Sequence, residues 1–100
     1  MPNWYLYLVR CQDGSLYTGI STDVARRFAQ HQGEGSAGSK YLRGRGPLVL
    51  VFQKKLGSRS LALNVERKVK KLSKVRKEEL IRANTRIDEI IRKVSSQSIV

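Results

Sequence analysis

Two short runs rich in apolar and aromatic residues open the chain: Trp4-Tyr5-Leu6-Tyr7-Leu8-Val9-Arg10, and Ser15-Leu16-Tyr17-Thr18-Gly19-Ile20. The turn signal Asp13-Gly14 sits between them. They predict a β-hairpin over residues 4–10 and 15–20. Loop length decides which side chains share a face. A two-residue Asp-Gly turn pairs position 10 with 17 and puts Tyr7 and Tyr17 on opposite faces. A three-residue loop, Gln12-Asp13-Gly14 with Gly14 left-handed, closes at 11 and 15. Position 7 then opposes 19, 9 opposes 17, and the two tyrosines become diagonal neighbours about 7–8 Å apart at the backbone. The second register is preferred; it sets Gly19 opposite Tyr7, leaving open space above the sheet.

The pattern then changes period. Ser21-Thr22-Asp23 supplies N-cap candidates for a helix over 24–32, with Val24, Phe28 and His31 on its inward stripe. Arg27 lies on the same stripe. An inward arginine needs a partner unless it snorkels at the stripe's edge, and spacing leaves both readings open. Residues 33–47 read as a loop with five glycines and the cations Lys40, Arg43 and Arg45, closed by Pro47. The apolar run Leu48 to Phe52 reads as a central strand, third in the sheet. Ser58 or Ser60 caps a helix of about 61–72 with Ala62, Val65, Val69 and Leu72 as its stripe and Glu66 beside it. A short helix follows around 75–83. Asn84 or Thr85 begins a further amphipathic segment with Ile87, Ile90, Ile91 and Val94 at helical spacing. That stripe suits core packing, with a docking face for another protein as the alternative. The expectation is a single domain over 1–94 with a frayed tail at 95–100, of α+β class: a small three-stranded antiparallel sheet flanked by helices, in the order β-β-α-β-α-α.

Charge adds a direction to this picture. The chain has 100 residues and a formal net charge of +12. Residues 40–77 hold thirteen of the Lys and Arg but one acid, Glu66, while the remainder carries seven of each sign. An excess concentrated in one stretch points to a polyanion, foremost nucleic acid. A membrane surface fits less well, because the basic stretch lacks large apolar residues on a matching face. No apolar run is long enough to span a bilayer, and no secretory signal is visible. Cys11 is the only cysteine, which excludes an internal disulfide and a cysteine-cluster zinc site and makes a reduced cytoplasmic location the default. No Walker pattern is present, so nucleotide binding of that kind is not expected.

The ordered set Tyr5-Leu6-Tyr7, Tyr17-Thr18-Gly19, Arg27, His31 and Glu66 resembles the GIY-YIG nuclease domain, over roughly residues 4–83. Within that superfamily it looks most like the small stand-alone bacterial YhbQ-like proteins. The tyrosines are ten residues apart, as in the family, and Arg27 falls eight positions after Gly19. Tyr5 replaces the glycine of the first tripeptide and Thr18 the isoleucine of the second. The resemblance implies a metal-dependent endonuclease that hydrolyses phosphodiesters in DNA, with RNA or branched nucleic acid as alternatives, acting as a monomer without a small-molecule cofactor. It implies Tyr17 as general base, Tyr7 hydrogen-bonded to it and positioning water or phosphate, Arg27 on a phosphate oxygen, His31 as support or alternative base, and Glu66 holding one Mg²⁺ or Mn²⁺. A lone carboxylate is sufficient for such an ion, whose other positions are filled by water and phosphate. Lys40, Arg43, Arg45, Lys70 and Lys71 are then the backbone-holding cations. The alternative function is a non-catalytic nucleic-acid-binding module on the same scaffold.

Overall fold

A computed structural model describes residues 2–32 and 46–97. Three strands and four helices follow in the order β1 (Trp4–Arg10), β2 (Leu16–Ser21), α1 (Val24–Gln32), β3 (Val49–Gly57), α2 (Arg59–Lys70), α3 (Lys74–Arg82) and α4 (Asn84–Gln97). The sheet is antiparallel throughout, with strand order β2-β1-β3.

The hairpin closes through a three-residue loop. Cys11 N–H bonds Ser15 O, and Gly14 N–H bonds Cys11 O, each at 2.9 Å. Gly14 has φ +87°, a conformation that a Cβ disfavours. Asp13 Oδ1 accepts from Ser15 N–H at 3.0 Å and from the Ser15 hydroxyl at 2.7 Å, fixing the turn locally. The resulting register pairs Tyr7 with Gly19 and Val9 with Tyr17.

The sequence expectation for β3 needs correction. It is an edge strand, and β1 is the central one. β3 also runs past the apolar stretch, to Gly57. Gln53 and Lys55 point into solvent while Phe52 is buried, an alternation that a half-covered edge tolerates and that its lysines help protect from stray pairing. β1 instead buries Leu6, Tyr7, Leu8 and Val9 in succession, because both of its faces are covered.

Those faces carry two separate cores. Leu6, Leu8 and Phe52 pack against Val65 and Val69 of α2, Leu80 of α3, and Ile87 and Val94 of α4. On the other face Tyr7, Val9, Cys11 and Leu48 pack with Val24 of α1, bordered by Tyr5, Tyr17 and Phe28. The stripe Ile87, Ile90, Ile91, Val94 is therefore interior packing. α2 begins at Arg59, two residues before the expected start, because the Ser58 hydroxyl caps it by accepting from Leu61 N–H at 3.1 Å. Ser73 caps α3 in the same way. α4 adds a fourth helix and continues to Gln97, into the stretch expected to fray. No helix among the described residues is long and apolar enough to cross a membrane.

Candidate active site

The hairpin register decides the site. Tyr7 and Tyr17 project from the same face of the sheet, with ring centroids 6.4 Å apart. Tyr7 is buried against Gly19: a Cβ at position 19 would lie 2.5 Å from Cζ and 2.5 Å from the hydroxyl oxygen of Tyr7. Glycine there is what admits the phenol. Tyr17 lies nearer the rim and is half-buried.

Helix α1 completes this face. Asp23 Oδ1 accepts from Arg26 N–H at 3.1 Å and starts the helix, so that Val24, Phe28 and His31 turn toward the sheet. The Tyr7 hydroxyl and His31 Nε2 are 2.8 Å apart, both buried. The His31 ring also meets Tyr17 nearly edge-on, with centroids 5.4 Å apart and planes at 69°. The Tyr7 hydroxyl meets His31 because α1 brings the imidazole over the first strand.

Burial, and behind it negative charge on Tyr17, pushes the Tyr7 phenol up to about 12; the Arg27 guanidinium acts against this by charge and hydrogen bond. Burial, then the Arg27 charge, holds His31 below the ordinary imidazole value. Both groups are therefore neutral near pH 7. A neutral phenol is the better donor and a neutral imidazole nitrogen the better acceptor, so Tyr7 O–H donates to Nε2 and the ring proton resides on Nδ1. Arg27 faces inward at the Tyr7 hydroxyl, with its stem half-buried. Its Nη1 also donates to Gln30 Oε1 at 3.0 Å, which steers the guanidinium.

Glu66 approaches from α2. Its carboxylate adds a charge felt at Tyr7, its side chain is only 16% exposed, and it pairs with Lys70 Nζ at 3.5 Å. The structure thus gathers Tyr7, Tyr17, Arg27 and His31 on one face of the sheet, with Glu66 near enough for its charge to act on Tyr7. Among the described residues no three or more His, Cys, Asp or Glu side chains gather as metal ligands. A single partly covered carboxylate fits Mg²⁺ or Mn²⁺, which retains several waters, and does not fit a closed zinc site.

Lys70 and Lys71 lie at the exposed end of α2. Lys40, Arg43 and Arg45 lie outside the described residues. Three contributors escaped the sequence reading. Gln30, three residues after Arg27, was recognisable by helical spacing. Arg10 and Glu78 were not: they form a two-pronged ion pair, 2.6 Å and 2.7 Å, between the end of β1 and α3. Nothing in local periodicity links positions 68 residues apart. α3 buries only Leu80, and this fork ties its first half to the end of β1.

Known proteins resemble this chain in sequence and fold. A family model described as the GIY-YIG catalytic domain matches residues 3–79. A UPF0213 protein of Cronobacter sakazakii is 58% identical over 81 residues, covering 81% of this chain and 83% of its own. A UPF0213 protein YhbQ of Salmonella arizonae is 54% identical over 81% of this chain and 79% of its own. The solution NMR structure of a UPF0213 protein from Bacillus halodurans superposes with a TM-score of 0.51 at 46% identity, covering 79% of this chain and 82% of that one. A protein from E. faecalis gives a TM-score of 0.57 at 31% identity, with 82% and 85% covered.

Proposed function

The chain belongs to the GIY-YIG family, and from that premise we propose that it is a metal-dependent endonuclease hydrolysing phosphodiester bonds in DNA. The observation that supports this reading is the convergence of two phenols, an imidazole and a guanidinium on one face of the sheet, with a carboxylate whose charge reaches Tyr7.

The roles follow from the protonation states. Tyr7 spends its proton on His31, so its oxygen presents lone pairs to a water and can orient it. Its raised pKa makes it a poor base. Tyr17, nearer the rim, accepts the water's proton as the water oxygen bonds to phosphorus and the bond to the leaving oxygen breaks. Arg27 stabilises the charge that builds on the phosphate oxygens. Glu66 is the residue to hold the divalent ion, which when bound supplies positive charge and a more acidic water. His31 keeps Tyr7 in register, and Lys70 and Lys71 hold the strand without reading its sequence.

The test is a cleavage screen over duplex, single-stranded and branched DNA and RNA, with Mg²⁺ or Mn²⁺. Cleavage is expected to vanish in Tyr17→Phe and Glu66→Ala, with DNA affinity retained in Glu66→Ala. A wild-type protein that binds these substrates and cuts none refutes the reading. The Glu66–Lys70 pair favours the rival, a non-catalytic binding module, for which that result is the expected one.

A further inference from the structure

Trp4 is the only tryptophan, and the interior does not use it. It opens β1 half-buried and belongs to neither of the two cores. The Arg59 guanidinium lies over its ring, with Cζ 5.7 Å from the centroid, within reach of a cation–π attraction. Arg59 is exposed and makes no ion pair with a described carboxylate, and the first turn of α2 holds no acid. Opposite Trp4 on β3 stands Gly57. A Cβ built there would meet nothing within 4 Å among the described residues, so the place across from the indole is open. A contact serving only to tie α2 to β1 needs no open flank. A nucleotide does: its base takes an aromatic face to stack on, and its phosphate a cation nearby.

The helix joins this pair to the candidate site. Arg59, Leu63 and Glu66 fall at i, i+4 and i+7 on α2, along one face. Seven residues of helix rise about 10 Å, or roughly three steps of 3.4 Å in a stacked strand.

We propose that Trp4 and Arg59 form a binding site for one unpaired base of the nucleic acid and its phosphate, a few nucleotides from the bond to be cut. This rests on the nucleic-acid reading of the neighbouring site and adds a substrate feature to it: a strand with a base free of its pair at that distance. Bases inside a duplex are stacked on both sides and have no free face to offer.

The experiment uses the full chain in EDTA, where no cleavage occurs, and reads the fluorescence of Trp4, the one indole present. The probes are oligothymidylate, an abasic strand with the same number of phosphates, and a duplex closed at both ends. Oligothymidylate should quench the fluorescence as it binds, and the other two should bind without that quenching. Trp4→Leu should weaken oligothymidylate binding by about 5- to 150-fold and leave abasic binding unchanged. Trp4→Phe, which keeps a ring, should retain most of the preference. Arg59→Gln should lower the slope of log K against log salt by about 0.7 on both single strands. Binding of oligothymidylate without quenching, equal quenching by the abasic strand or the duplex, a wild-type preference in Trp4→Leu, or an unaltered slope in Arg59→Gln overturns the site. If Trp4→Leu fails to fold, the wild-type quenching and the Trp4→Phe comparison decide. Absent cleavage in Mg²⁺ with the quenching intact refutes the nuclease reading alone. A chain that binds none of the three probes refutes the nucleic-acid reading, and the site with it.

Discussion

Replacing Gly19 by alanine tests the centre of the site most directly. Glycine inside a strand ordinarily costs about 0.5–1 kcal/mol relative to alanine, and φ at Gly19 is not in the left-handed region. Without a neighbour, Gly19→Ala would stabilise the protein. The neighbour is Tyr7, with Cζ and hydroxyl oxygen at 2.5 Å and Cε1 at 3.0 Å from the new methyl. Carbon atoms rest at about 3.5–4.0 Å, so the ring has to withdraw by roughly 1 Å. Tyr7 is only 1% exposed, so the ring has to press on its buried neighbours to withdraw. Overpacking of this kind costs about 1–3 kcal/mol. The same displacement stretches the 2.8 Å bond to His31 beyond useful length, for a further 0.5–1.5 kcal/mol or so. A net destabilisation of about 2 kcal/mol is expected in urea denaturation, opposite in sign to the propensity effect. His31 is the only histidine, so its imidazole resonances should shift visibly. If cleavage is established, it should fall about 10²-fold from a misplacement of roughly 1 Å. A Gly19→Ala protein of wild-type or higher stability with unmoved His31 resonances would refute the close packing of Tyr7 on Gly19.

Thr18 is buried, and its hydroxyl finds no hydrogen-bond partner among the described residues; Thr18→Val should therefore stabilise the fold by about 1 kcal/mol, seen as a higher urea midpoint at unchanged slope. The depressed pKa of His31 means that the unfolded chain binds its proton first on acidification. His31 favours folding fully above the ordinary value near 6.5, and stability should fall as pH drops from there toward the lower folded value, a dependence that His31→Gln should abolish in a pH series of denaturation curves. Glu78→Gln breaks the fork to Arg10, whose side chains are 33% and 22% exposed; the global destabilisation should stay within about 1 kcal/mol, while amide exchange in α3 quickens more than in α2.

Much of this was legible in the chain because short-range rules suffice for it. The residues of the hairpin loop fix the register, and the register alone puts Tyr7, Tyr17 and Gly19 on one face. Helical spacing turns His31 inward and sets Glu66 one turn from Lys70. Strand order was less legible. Leu48 to Phe52 is as apolar as a central strand, but whether a second neighbour covers it depends on partners distant in sequence; Gln53, Lys54 and Lys55 were the available sign of an edge. The bond between Tyr7 and His31 depended on where α1 lands, and the Arg10–Glu78 bridge on where α3 lands. Neither placement is encoded in local periodicity.

The central position of β1 has a consequence for how the chain is born. It is made before β3, yet one of its edges is covered by that strand, and Gly57 comes 47 positions after Arg10. At roughly 5–20 residues per second, the hairpin waits several seconds on the ribosome with that edge open and Leu6 and Leu8 still lacking the helices that shield them. This interval, rather than the finished fold, is when the protein is most exposed to chaperones and to self-association. The long-range docking of β3 onto β1 is then the step expected to set the pace of folding.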